Sequence, residues 1–163
     1  MGVVCEIDIS SAHRLPDKTA EYARSARGRG TEVIIVGAGM AAHLAGMIAS
    51  HTTLPVIDVP LSSGALNGVD ALYATVQMPP GIPVATVAVN GGKNAAYLAC
   101  SILSIKFPKI SDILEIYRDE TGKQLQQKSK TYRVNLEWVK NKRTKDESNN
   151  YLHNPKKTQG CFY

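Results

Sequence analysis

Short apolar runs alternate with stretches of helical period along the first 130 residues. Val3 to Ile9 alternates and is rich in β-prone residues, which predicts a strand. Ser10 to Asp17 follows as a polar turn. Pro16 suits a first helical turn, and a helix is expected from there to about Arg27, with Ala20, Ala23 and Ala26 on one face and Gly28 and Gly30 to stop it. Glu32 to Val36 predicts a second strand. The small-residue loop Gly37 to Leu44 leads into a short helix ending near Ser50. Leu54 to Ile57 predicts a third strand, Val69 to Gln77 a helix, and Pro79-Pro80-Gly81 a turn. Val84 to Val89 predicts a fourth strand, and Gly91-Gly92 opens a helix from about Lys93 to Leu103. Ser111 can cap a last helix, with Ile113, Leu114, Ile116 and Tyr117 as its apolar side.

Strands this short and nearly continuously apolar are usually buried on both faces of a parallel sheet. With right-handed crossovers the expected fold is a three-layer α/β/α sandwich. Ligands of such folds sit beyond the carboxyl ends of the strands, so the loops after the strands are where chemistry is expected. After Lys130 the character changes. The chain is read as a domain over 1–130 and a polar, basic tail over 131–163. Asn141 to Tyr163 lacks any apolar period and is expected to be disordered or loosely attached.

Composition changes this picture only in what it removes. A chain of 163 residues can bury one real core. No apolar run is as long as a membrane span, so no membrane association is expected. No basic segment leads into an apolar stretch after Met1, so a secretory signal is not expected. A cytoplasmic location is expected, or a plastid if the chain is a plant's. Cys5, Cys100 and Cys161 are far apart and odd in number, which argues against a disulfide framework and against a zinc or other metal site. The net charge of +5 hints at nucleic acid, but residues 131–163 hold seven Lys/Arg against three Asp/Glu, and the remainder holds twelve against eleven. The predicted fold is thus nearly neutral, and no nucleic-acid partner is expected.

Two loops carry candidate chemistry. Ser11-Ala12-His13-Arg14 ends a predicted strand and combines a hydroxyl, an imidazole and a permanent cation. Imidazole can give or take a proton near neutral pH, and guanidinium grips phosphate with a planar fork of donors. The plain alternative is a helix-entry turn with a surface His and Arg. Gly37 to Leu44 opens a helix, where backbone N–H groups favour an anion. It also approaches a dinucleotide fingerprint, Gly37-x-Gly39-x-x-Ala42, with Asp58 near the place of the expected acid, so a nucleotide-cofactor reading stays open. His43 alone reads equally as a structural histidine.

The combined string is more specific than either loop. Ser11-Ala12-His13-Arg14-x-Pro16-Asp17, Gly37-Ala38-Gly39-x-Ala41-Ala42-His43-Leu44 and Leu54-Pro55-Val56-Ile57-x-Val59-Pro60 resemble the class I 5-(carboxyamino)imidazole ribonucleotide mutase family, which includes carboxylase catalytic subunits. The likeness continues through Ala65 to Leu72, Val76 to Val87 and Lys93-Asn94-Ala95-Ala96, covering about residues 3 to 130. It implies a flavodoxin-like sandwich, assembly as an octamer, a ribonucleotide substrate with carbon dioxide, and no cofactor. The implied reaction belongs to purine biosynthesis and turns 5-(carboxyamino)imidazole ribonucleotide into 4-carboxyaminoimidazole ribonucleotide. His13 matches the catalytic histidine and Arg14 the phosphate-binding arginine. Ser11, Ala12, Gly39, Ala41, Ala42, His43 and Leu44 match substrate-pocket positions, with Gly39, Ala41 and Ala42 expected to line a small dry cavity for carbon dioxide. Gln77-Met78-Pro79 is expected to shape its wall.

The chain also departs from the family pattern. Members begin with a further strand, a Gly-Ser-x-Ser-Asp loop and a helix, whereas this chain starts at what matches the second strand. A sheet neighbour is therefore expected to lie exposed. Met40 and Asp58 stand where Gly is usual, and Ala45 where Pro is usual. Direct carboxylation of aminoimidazole ribonucleotide by carbon dioxide, or an inactive homologue that binds ribotide or assembles with partners, remain alternatives.

Overall fold

A computed structural model describes residues 2–147, with side chains described through Lys142. They fall into two compact units, divided between Ile116 and Tyr117. The first unit is built on a three-stranded parallel sheet of β1 (Ile34–Gly39), β2 (Val56–Leu61) and β3 (Ala85–Thr86), in that spatial order. The register sets Ile34 beside Val56 and Val36 beside Asp58. Side chains alternate along each strand, so Ile34, Val36 and Val56 share one face and Ile57 and Val59 take the other.

Each face carries its own core, which makes three layers. On the first, Ile34, Val36 and Val56 pack with Ala23 and Ala26 of α1 (Pro16–Ala26) and with Ala45 and Ile48 of α2 (His43–Ala49). On the second, Ile57 and Val59 pack against Ala95 and Ala99 of α4 (Gly92–Leu103). The alanine-rich faces of α1 and α4 let those helices lie close to the strands. α3 (Val69–Val76) packs on β2. The α/β fold with a parallel sheet is therefore the one expected.

Three local expectations are corrected, and the end of α1 falls within a residue of the place expected. Val3 to Ile9, expected as a strand, makes no backbone pairing among the described residues, because no described strand lies against it. β1 and β2 run on to Gly39 and Leu61, beyond the expected apolar runs, and β3 is cut to two residues, although the Val87 N–H still donates to the Asp58 carbonyl at 3.1 Å. α1 passes into a single 3-10 turn, Arg27–Arg29, before Gly30, at φ 90°, closes it with its N–H on the Arg27 carbonyl. The last helix, α5 (Pro108–Glu147), begins at a proline rather than at a Ser111 cap.

α5 also continues far past its expected length. Residues 117–147, in the second unit, are helical throughout, so the polar segment expected to lack structure from Asn141 is helical as far as Glu147. Leu125, Tyr132, Leu136 and Trp138 stand exposed along it. The rest of that expectation, residues 148–163, lies outside the described residues. No described helix is long and apolar enough to cross a membrane.

Candidate active site

Parallel strands deliver their following loops to one end of a sheet, and two histidines meet there. His13 lies in the turn before α1, where the Ser11 carbonyl accepts the N–H groups of Arg14 at 3.2 Å and Leu15 at 2.8 Å. His43 is the first residue of α2, directly after the β1 loop. Their rings lie 4.8 Å apart between centroids, tilted by 37°. Both border a cavity of about 280 Å³ whose wall is made of small side chains, among them Ala41, Ala42, Ala45 and Gly46.

The β1 loop reaches this arrangement through strained backbone. Met40 and Ala42 hold φ values of 57° and 42°, in the left-handed region that non-glycine residues seldom adopt. The Ala42 N–H donates to the Gly39 carbonyl at 3.0 Å and tightens the turn. Non-glycine residues held in that region typically cost about 1–3 kcal/mol each and persist where surrounding packing fixes them. Here they turn Ala42 inward, where it is buried, and bring His43 to the start of α2.

The expected site residues separate into two groups. His13, Ala41, Ala42 and His43 come together around the cavity, and Met78 of the expected wall joins them. Ala12 is buried beneath the turn. Ser11 shapes that turn through its carbonyl, and Arg14 stands exposed next to His13. Gly39 and Leu44 lie outside the cavity. Gly39 packs against the loop after β2, where a Cβ would overlap the Ser63 hydroxyl and come within 3.2 Å of the Leu61 carbonyl. Leu44 packs into the core beside α1 and β1. Met40 is 61% exposed and stays out of the cavity.

Ala45, Gly46, Ala74, Thr75 and Val84 also line the cavity and were not expected there. Ala45 and Gly46 follow His43 directly, so their small size is the one signal that pointed to them. Ala74, Thr75 and Val84 arrive from α3 and the segment before β3, through packing that local sequence does not encode.

Asp58 lies beneath this wall, in the middle of β2 and fully buried. Among the described residues neither carboxylate oxygen has a hydrogen-bond partner, and the nearby Thr75 hydroxyl is spent on the Ala71 and Leu72 carbonyls. Burial pushes the Asp58 carboxyl up to about 6, against a weaker downward pull from Thr75 and the Val59 N–H. An acid closed off in this way cannot reach a ribose hydroxyl, so the nucleotide-cofactor reading loses the residue on which it relied. No cluster of metal-ligating side chains occurs among the described residues. The larger cavity, along the free edge of β1, contains neither histidine.

This arrangement can hold a small, largely planar molecule against small side chains with two imidazoles on it and a guanidinium nearby. Residues 1–124 match the family model described as AIR carboxylase. The chain is 57% identical over 129 residues to the N5-carboxyaminoimidazole ribonucleotide mutase of Pyrococcus horikoshii, covering 79% of this chain and 73% of the relative. Its counterpart in Thermotoga maritima is 54% identical over 128 residues, with 78% and 75% covered. The phosphoribosylaminoimidazole carboxylase of Schizosaccharomyces pombe is 54% identical over 114 residues, which are 70% of this chain and 21% of that protein. Both loops of the site fall inside the matched region, and the chain belongs to the AIR carboxylase family.

Proposed function

We propose that this chain is an enzyme of purine biosynthesis that converts 5-(carboxyamino)imidazole ribonucleotide to 4-carboxyaminoimidazole ribonucleotide, with His13 as the proton carrier. The observation that carries the reading is the pairing of the His13 and His43 rings at 4.8 Å against a small-residue cavity. In the first step the exocyclic nitrogen–carbon bond breaks. Carbon dioxide leaves, and the nitrogen keeps the electron pair and takes a proton from the His13 imidazolium. In the second step ring carbon 4 attacks the retained carbon dioxide, and His13 recovers the proton from that carbon. Atoms and charge balance, and the enzyme ends as it began.

Each feature of the site has a part in this. One imidazole serves both steps because it can donate and accept near neutral pH. Holding carbon dioxide beside the ring avoids recapturing it from solution, a gain in effective concentration. Ala41 and Ala42 offer an uncharged gas no competing polar group. Arg14, exposed beside His13, grips the ribotide phosphate, and His43 packs on the substrate face. The molecule works as a homo-oligomer in the cytoplasm.

A second reading is supported by the likeness to the carboxylase of S. pombe. In it the substrate is aminoimidazole ribonucleotide, carbon dioxide enters from solution, and only the second step occurs. Supplying each ribotide separately to the purified chain, and following 4-carboxyaminoimidazole ribonucleotide by its absorbance, separates the two readings. Turnover of the carboxyamino compound without added bicarbonate is expected. His13→Asn is expected to lower kcat by about 10²–10⁴-fold, the usual worth of a positioned acid–base group. A variant that keeps wild-type turnover would refute the role of His13.

A further inference from the structure

We propose that the part of α5 in the second unit is a docking site for an acidic, amphipathic helix of another polypeptide, which pairs with it as a short coiled coil. The proposal does not depend on the reaction, and residues 125–139, which carry it, lie beyond the residues matched by the family model. Leu125, Ser129, Tyr132, Leu136 and Val139 follow one another along α5 at spacings of four, three, four and three residues. That alternation averages 3.5 residues and keeps every member on one side of a helix.

The width of this seam selects the kind of partner. At about 100° per residue the five positions fall within about 80° of arc. The four apolar members, Leu125, Tyr132, Leu136 and Val139, are all exposed. A helix that lies in a lipid surface presents a broad apolar face, whereas a stripe this narrow is the geometry of one helix packed on another. Val134 and Trp138 are exposed as well but fall outside the seam, and the Trp138 ring faces the Lys142 ammonium at 4.7 Å. Ser129, the one small member, leaves a hole at the centre of the seam for a bulky apolar side chain of the partner.

The borders of the seam define the partner's charge. Positions just outside a coiled-coil seam face the flanks of the opposite helix and set which helix pairs there. Here they are Lys128, Asn135 and Lys142 on one side, and Gln126, Arg133 and Lys140 on the other. Four of the six are cationic and none is acidic. Glu137, the single acid among residues 121–142, lies outside both rows. A second copy of this helix would set cation against cation in either orientation. A parallel pair brings Lys128 to Arg133, and an antiparallel pair brings each row to itself. Such like-charge contacts select against self-pairing. Glu or Asp at the matching positions of another helix would meet all four cations with opposite charge. The occupant is thus an acidic helix with Leu or Ile on its own seam.

The test uses the full chain and a labelled synthetic peptide, three repeats of Glu-Ile-Ala-Ala-Leu-Glu-Gln, with Ile and Leu on its seam and Glu on both flanks. One control peptide has every Glu replaced by Lys. Another keeps the composition of the acidic peptide in an order that breaks the four–three spacing of Ile and Leu. Binding is read by fluorescence anisotropy. The acidic seam peptide is expected to bind, and both controls to bind at least 10-fold more weakly. Leu136→Gln, at an exposed position, is expected to lower the affinity at least 10-fold. Lys128→Glu combined with Arg133→Glu is expected to shift the ratio of affinities at least 10-fold toward the lysine peptide, a reversal that loss of folding does not produce. Four results overturn the proposal. One is no binding at millimolar acidic peptide. Another is equal binding of the order-broken peptide, which would leave charge attraction without a seam. A third is self-association of the chain that Leu136→Gln abolishes, which would make a second copy the occupant. The fourth is tighter binding to phosphatidylglycerol vesicles or to a single-stranded oligonucleotide, lost in Leu136→Gln, which would make a lipid surface or a nucleic acid the partner.

Discussion

A carboxylate placed among β-strands without a hydrogen-bond partner favours its neutral form, and Asp58 is in that position. Its folded value of about 6 lies above the unfolded 3.8. Between those values the folded state binds more protons than the unfolded chain, so stability falls as pH rises from about 4 to 6 and stays lowered above that. The size is roughly 3 kcal/mol at 1.36 kcal/mol per unit. Urea denaturation at a series of pH values is expected to show this decline in the wild type and its absence in Asp58→Asn. Parallel pH curves for the two proteins would exclude a buried, titrating Asp58. Gly39 makes a steric prediction. An alanine there must displace the Ser63 hydroxyl, and overpacking of this kind typically costs about 1–3 kcal/mol. Ser63→Gly in the same chain is expected to return much of that loss, a coupling that a double-mutant cycle measures directly. Additive effects would mean that the strain lies elsewhere.

Elements differ in how far local pattern determines them. The helix faces carrying Ala20, Ala23 and Ala26 were legible because a period of 3.6 residues is written in adjacent residues. The strand pattern of Val3 to Ile9 was equally legible, yet pairing is non-local and no described strand lies against it. Its side chains remain exposed, Ile7 at 93%, whereas Ile57 in β2 is fully buried. Ile57→Ala is therefore expected to cost about 2–5 kcal/mol, and Ile7→Ala less than about 0.5 kcal/mol. Equal losses in chemical denaturation would show that the N-terminal segment is packed in solution. The site follows the same rule. His13 was legible at the end of a strand-like run and His43 through the family likeness, and the fold brings their rings together beside one cavity. Thr75 and Val84 were not, because their place in the wall depends on how α3 and the segment before β3 settle on the sheet.

At the scale of the whole molecule, the chain places its only tryptophan in the second unit. Trp138 is 61% exposed, and its one described ring contact is the Lys142 ammonium, 4.7 Å from the ring centre and one turn along the same helix. Helices of this kind draw little stability from tertiary packing and melt gradually, because their support is propensity and contacts within a turn or so along the helix. The first unit has two buried clusters on a sheet and should unfold as one cooperative body. Two probes of a single urea titration should therefore disagree. Trp138 emission is expected to begin near its solvated wavelength and change over a broad range at low urea. Far-ultraviolet circular dichroism should show that gradual loss followed by a sharp transition, and near-ultraviolet tyrosine signals from Tyr22 and Tyr97 should report the sharp transition alone. Coincidence of all three curves would require that the helix beyond Ile116 gains its stability from the same core as the sheet. In that case the division at Tyr117 would not be a boundary of cooperativity.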